Sequence, residues 1–270
     1  MLKSRVITAI IMAAILLGVL FGLSGTTFAL VLGLVVLAGA WEWSRLAGLT
    51  RVESRLFYVV VITAVGVLCY RYVFPDIWPL LVSVGWWLAI VGLLFYLQLR
   101  GGQLQSRAFV LLAGIVVLVP AWYAAVVLHA IDLRRPWLLL SVLMVIWAAD
   151  IAAYFVGKAR GRIRLAPHLS PGKTVEGLFG GLVGVLVVAL LLGTVWQLEA
   201  AMLLAWMGLC LICGLFSAVG DLFESVIKRQ AGAKDSGNLL PGHGGILDRI
   251  DSFTAAAPVF ALGWLLLKGL

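Results

Sequence analysis

Nine charged side chains crowd the 31 residues from Asp221 to Asp251 of an otherwise apolar chain: Asp221, Glu224, Lys228, Arg229, Lys234, Asp235, Asp248, Arg249 and Asp251. Glycines 232, 237, 242, 244 and 245 and His243 share the stretch. Ions held near a bilayer cost several kcal/mol each unless they are paired or hydrated, so such a density marks a functional site. Acids suited to a hard cation, bases suited to phosphate oxygens and a pliable glycine loop together describe phosphoryl or nucleotidyl chemistry better than any one of them alone.

Asp221, Glu224, Ser225 and Lys228 stand at offsets of 0, 3, 4 and 7, which places them on one face of a helix. A helix end emerging into water, with Glu224 and Lys228 as an ordinary i,i+4 pair, would account for that stripe equally well. Asp248 and Asp251 also share a face if they open the last helix. Capping of the positive helix end is the plainer explanation for the two carboxylates. The sharper one is Mg²⁺, which takes one or two carboxylates together with substrate phosphates, and Asp221 would complete that site. The glycines allow backbone N–H groups to approach phosphate oxygens, with Lys228, Arg229, Lys234 and Arg249 as counter-charges. His243 is placed to bond phosphate or act as an acid, although a loop histidine is more often a structural hydrogen-bond partner.

A second cluster runs from Asp150 through Lys158, Arg160 and Arg162, then continues as Ser170-Pro-Gly-Lys173-Thr174-Val-Glu176-Gly177. Asp150 precedes Lys158 by about 12 Å of helix, a depth at which a carboxylate pairs or lines a polar cavity. Ser170, Lys173 and Thr174 suit phosphate binding at a helix start, with capping and a cytoplasmic positive charge as the alternative. Gly172-Lys173-Thr174 is not the end of a P-loop, because Pro167 stands where that motif needs glycine and no strand pattern precedes it.

The elements that must position these residues are membrane spans. The 270-residue chain is 63% hydrophobic and 12% charged, about half the charge of a soluble domain. This predicts an all-α, polytopic integral membrane protein forming one domain over 1–270, with N-terminal spans in 1–135 and the catalytic half in 136–270. Nine apolar runs are long enough to span: 6–23, 26–41 (short), 57–75, 77–97, 108–130, 136–156, 175–196, 200–220 and 252–268. The eighth is expected to continue past the membrane, carrying Asp221 to Arg229. The first, behind Lys3 and Arg5, reads as an uncleaved helix rather than a signal peptide.

With the spans numbered, sixteen Lys and Arg fall on the side of the N-terminus and four on the other. That asymmetry predicts a cytoplasmic N-terminus, an outside C-terminus and both polar clusters facing the cytoplasm. It also explains the net charge of +8 without nucleic acid. Cys210 and Cys213 form a C-x-x-C inside an apolar run and read as small buried hydrophobes. Trp41, Trp43, Trp78, Trp86, Trp87, Trp122, Trp137 and Trp196 lie at or near span ends, some of them deeper, and interfacial anchoring is the default reading for most.

From Ser225 to Asp251 the sequence closely resembles the phosphatidate cytidylyltransferase (CDP-diacylglycerol synthase) family, whose pattern is a serine, K-R, K-D, H-G-G and D-R-x-D. Ser225, Lys228-Arg229, Lys234-Asp235, His243-Gly244-Gly245 and Asp248-Arg249-Ile250-Asp251 supply it without departure. The upstream elements, through Asp150, Ala153, Tyr154, Gly157, Lys158, Ser170, Pro171, Lys173, Thr174, Glu176 and Gly177, are similar as well. The resemblance covers about the last 120 residues; the first half matches only as a set of spans. It implies a cell-membrane enzyme converting CTP and phosphatidic acid to CDP-diacylglycerol and pyrophosphate with Mg²⁺, and a homodimer that the sequence does not show.

On both readings Asp221 and Asp248 are the first choices for metal ligands, with Asp251 and Asp150 behind them. Lys173, Lys228, Arg229, Lys234 and Arg249 would contact the triphosphate or the lipid phosphate. Ser225 would add an oxygen ligand or orient a phosphate. A transporter for an anionic solute is the main rival, disfavoured by the dense carboxylates among the cations. A CDP-alcohol phosphotransferase would show D-G-x-x-A-R, which is absent. A non-catalytic scaffold is the third class.

Overall fold

A computed structural model describes residues 2–101, 106–131, 136–239 and 244–269. Its order is α1 (Leu2–Gly22), α2 (Gly25–Leu46), α3 (Val52–Leu68), a π-helical turn (Cys69–Val73), α4 (Trp78–Arg100), α5 (Arg107–Ile131), α6 (Trp137–Arg160), β1 (Arg164–Ala166), β2 (Ser170–Thr174), α7 (Val175–Val195), α8 (Ala200–Gln230) and α9 (Leu247–Lys268). Among the described residues eight helices, α3 being taken with its π-helical turn, are long and apolar enough to cross a membrane, and α1 contributes a shorter apolar helix over Ala13–Gly22. The polytopic α-helical architecture expected from the apolar runs is what the chain forms.

One boundary moves. The second span is not short: α2 continues through Glu42 to Leu46, because the carboxylate that ends the apolar run is buried inside the protein rather than in lipid. The eighth continues as expected, with α8 unbroken for 31 residues.

The helices divide into an inner pair and an outer set. In α5, 72% of the most apolar window is buried, and in α9 61%, against 11–33% in the other spanning helices. α9 packs against α8, α5 and α4, while α6 and α7 lie closely side by side and α7 in turn meets α8. These contacts gather the ends of α6, α8 and α9 around one region.

Two tryptophans correct the interfacial reading. Trp43 and Trp87 are fully buried, as is Trp206. Phe223, at the polar end of α8, packs among Trp43, Trp86 and Trp87 with ring centroids 5.7–6.4 Å apart. The Trp43 indole N–H donates to the Val110 carbonyl at 2.7 Å, so its polar atom is satisfied in the interior. This aromatic cluster fixes the rotation of α8 and thereby aims the neighbouring Glu224. Trp78 and Trp137 remain exposed near helix starts. Cys210 and Cys213 are buried, as expected.

Between α6 and α7 the chain makes a two-stranded antiparallel hairpin, β1 with β2, which apolar periodicity gave no reason to expect. It is anchored rather than loose. Ala166 and Leu169 are buried in the core, and the His168 N–H donates to Gln98 Oε1 on α4 at 3.2 Å. The Ile163 N–H donates to the Glu176 carboxylate at 3.2 Å. Thr174 caps α7, its hydroxyl accepting the Gly177 N–H at 3.1 Å.

Candidate active site

The stripe predicted on α8 forms. The Ser225 hydroxyl points at Asp221 Oδ1 at 3.4 Å, and Lys228 Nζ lies 3.1 Å from Glu224 Oε1. Two cross-element ion pairs then tie α8 to its surroundings: Lys173 of β2 to Asp221 at 2.5 Å, and Lys228 to Asp248 of α9 at 2.7 Å. Asp251 acts electrostatically on both Asp221 and Glu224, and Asp221 on Asp150. A Cβ on Gly220 would stand 3.1 Å from the Ala255 side chain and collide with the Asp251 backbone, so only glycine lets α8 and α9 cross closely enough to set Asp221 beside Asp251.

Around Asp221 and Asp150 the ends of α6 and α8, the hairpin and the start of α7 enclose a cavity of about 660 Å³, within the usual size range of small-molecule sites. Its charged lining is Asp150, Lys158, Arg164, Lys173 and Asp221, and its apolar part includes Leu178 and Leu182. Asp150 is exposed to this space, and the Lys173 and Asp221 side chains are 27% and 31% exposed, so all three groups are accessible to a ligand. Carboxylates and cations therefore line one space that also has an apolar wall.

Asp248 stands differently. Lys228 fills its Oδ1, while the backbone N–H groups of Ser236 and Gly245 donate to Oδ2 at 2.9 and 2.8 Å. The Ser236 hydroxyl lies 3.0 Å from the same oxygen and 2.9 Å from Glu42 Oε2; with one proton, it is shared between the two carboxylates. Both Asp248 oxygens thus already hold protein donors. The helix-capping reading fits this carboxylate better than the metal-ligand reading, since a cation would have to displace Lys228. The Gly245 N–H, expected to meet phosphate, is directed at Asp248 instead, and Gly244 makes the turn at φ +83°.

The remaining expected site residues separate cleanly. Lys173, Asp221 and Asp150 meet in the cavity. Ser170 begins β2, and Thr174 is engaged as a cap while its residue also borders the cavity. Arg229, Lys234, Asp235 and Arg249 are exposed at the same end of the protein. His243 lies outside the described residues. Two groups were not anticipated as site residues. Arg164, counted only as a cytoplasmic charge, lines the cavity. Glu42, 3% exposed on α2, accepts from Ser236 and from the Leu247 N–H at 3.0 Å. A carboxylate ending an apolar run in Trp41-Glu42-Trp43 was the signal that would have found it.

Among the described residues no group of three or more His, Cys, Asp or Glu forms a ready-made metal cluster. Mg²⁺ does not require one, because it keeps waters and uses one or two carboxylates alongside substrate phosphates. Asp221, already turned toward a cation in Lys173, and the accessible Asp150 fit that donor set.

Fold and site together define a polytopic membrane protein with a charged, ligand-sized cavity where its cation-rich segments gather. The chain matches the family model described as the cytidylyltransferase family over residues 3–267, and it belongs to that family. It is 47% identical over 263 residues to a Pseudomonas aeruginosa protein named phosphatidate cytidylyltransferase, with 97% of this chain and 96% of the relative covered. A Haemophilus influenzae protein of the same name is 36% identical over 285 residues, covering 97% and 98%. A Bacillus subtilis protein, again of that name, is 51% identical over 118 residues, or 43% of this chain and 42% of the relative.

Proposed function

We propose that this chain is a phosphatidate cytidylyltransferase, converting CTP and phosphatidic acid to CDP-diacylglycerol and pyrophosphate at the cytoplasmic face of the cell membrane. The family membership and the near full-length relatives support the activity. The observation that carries the site is the cavity in which Asp150 and Asp221 face Lys158, Arg164 and Lys173 beside an apolar wall. One substrate is a polyanion from water and the other a lipid with its headgroup at the interface, and a charged space with an apolar side suits both.

In the reaction an oxygen of the lipid phosphate attacks the α-phosphorus of CTP, a new P–O bond forms, and the bond from that phosphorus to the bridging oxygen breaks. Pyrophosphate leaves with the bonding electrons. The nucleophile is anionic near neutral pH, so no strong base is required. Positioning and charge neutralisation dominate instead. Lys173, Lys158 and Arg164 hold phosphate oxygens, and Arg229, Lys234 and Arg249 draw the nucleotide to this end. Asp221 and Asp150, with Asp251 behind them, would hold Mg²⁺. When bound, the ion would offset the negative charge of the triphosphate. Lys228, Ser225 and Asp248 keep Asp221 and its helix in register.

The test is pyrophosphate release from the purified protein supplied with CTP, phosphatidic acid and Mg²⁺. Turnover that requires both substrates is expected; movement of an anionic solute across vesicles without turnover would favour a transporter. Accessibility labelling at position 243 checks the orientation, with exterior labelling overturning it. The homodimer belongs to the same proposal, and its check is the mass of the protein in detergent.

A further inference from the structure

Outside the cavity lining, in the half of the chain that resembled the family only as spans, Glu42 enters the site's support. Its Oε2 accepts the Leu247 N–H at 3.0 Å and lies 2.9 Å from the Ser236 hydroxyl. One helical turn on, Arg45 donates to the Ser236 carbonyl at 2.6 Å. α2 therefore grips both ends of the connection between α8 and α9, at Ser236 and at Leu247. A Cβ on Gly237 or Gly245 would run into the Glu42 carboxylate, so the connection is also shaped around that side chain. Glu42 Oε1 has no hydrogen-bond partner among the described residues. A buried carboxylate of this kind is costly for a residue whose only task is to fill space.

From Ser236 the connection is short. Its N–H and hydroxyl meet Asp248, Asp248 holds Lys228, Lys228 pairs with Glu224, and one turn before Glu224 stands Asp221. Resting on the function proposed above, we infer that Glu42 is a positioning residue for the reaction. It sets the start of α9, and through Asp248 and Lys228 the polar face of α8, so that Asp221 is presented to the cavity. The cavity cations Lys158, Arg164 and Lys173 come from α6 and the hairpin rather than from α2, α9 or the connection before it, and Lys173 meets Asp221 from the cavity side. Loss of Glu42 should therefore disturb alignment more than nucleotide binding.

The experiment compares Glu42→Ala, Glu42→Gln and Ser236→Ala with the unaltered full-length protein in detergent. Turnover is measured against CTP, and amide hydrogen exchange over 233–247 is measured without substrates. We expect Glu42→Ala to lower kcat by about 100-fold, the scale of an ångström-sized misplacement, with KM for CTP unchanged. Exchange at Ser236, Gly245 and Leu247 should rise. Glu42→Gln, whose amide oxygen still accepts the Leu247 N–H, should restore most of kcat and the slow exchange. Ser236→Ala should fall between them, which keeps the inference testable if the alanine variant at 42 fails to fold. Unchanged kcat in Glu42→Ala, a loss in KM alone, or no rescue by Glu42→Gln would overturn it. If the unaltered protein shows no turnover, the proposed function fails instead, and the exchange data still decide whether Glu42 braces the loop.

Discussion

The carboxylates at this end of the protein fall into two regions with the same chemistry and different accounts of their lone pairs. Around the cavity, Asp150 is exposed and Asp221 is held by one half-exposed lysine and a long contact from Ser225. Beneath α2, both oxygens of Asp248 and Oε2 of Glu42 are taken by Ser236, Gly245, Leu247 and Lys228 with bonds of 2.7–3.0 Å. A carboxylate saturated by protein donors is part of the scaffold, because a ligand gains little by replacing bonds already made. One left to water and a single movable cation is available to a metal or a phosphate counter-charge. Charge density alone marks the neighbourhood; saturation separates the parts that react from the parts that hold.

The sharpest way to break this division is Asp221→Asn. On the open side the change removes a charge without orphaning a buried partner, since Lys173 is 27% exposed and can turn to water. Turnover should fall by about three orders of magnitude, the upper scale for losing a preorganised charge at a reacting phosphate. Thermal unfolding in detergent should hardly move. A variant that loses its melting transition along with its activity would show that Asp221 is scaffold too, and the contrast would dissolve.

Much of this was legible in the sequence, and what was not legible shares a cause. The offsets from Asp221 to Lys228 gave the α8 stripe because helical period is local, and the run of apolar residues into it gave the continuous helix. Thr174 as a cap was visible for the same reason. Asp248 was expected as a metal ligand because its partners, Ser236 at 12 residues and Lys228 at 20, are supplied by a loop and a helix crossing that no periodicity encodes. Glu42 is missed because an apolar run is read only up to its first charge and so ends at Trp41, and because its partners lie about 200 residues away. Trp43 and Trp87 looked interfacial by position in the chain, whereas the packing of Phe223 between them decides their burial.

A second substitution sharpens the comparison from the closed side. In Asp248→Asn, Lys228 loses its 2.7 Å partner where the two side chains are 9% and 11% exposed. Lys228 keeps Glu224 at 3.1 Å, so its ammonium group loses one of two carboxylates, and the cost falls below the roughly 3–5 kcal/mol of a fully broken buried pair. A lower melting temperature is therefore expected together with roughly a 100-fold loss of turnover from misalignment. The protein should still insert in the membrane. Lost turnover at an unchanged melting temperature would move Asp248 to the open group and restore it as a metal ligand.

The smallest effect separates capping from substrate contact in the hairpin. Thr174 borders the cavity, yet its hydroxyl accepts the Gly177 N–H at 3.1 Å and the residue is 8% exposed. Thr174→Ala should cost about 1 kcal/mol of stability, the usual loss for an N-cap, while Thr174→Ser, which keeps the oxygen, should cost less. If capping is the whole role, KM for CTP should be the same in both variants, because Lys173 beside it stays tied to Asp221. A raised KM in the alanine variant, relieved by serine at unchanged stability, would instead place the Thr174 hydroxyl on a substrate phosphate and extend the open region into the start of α7.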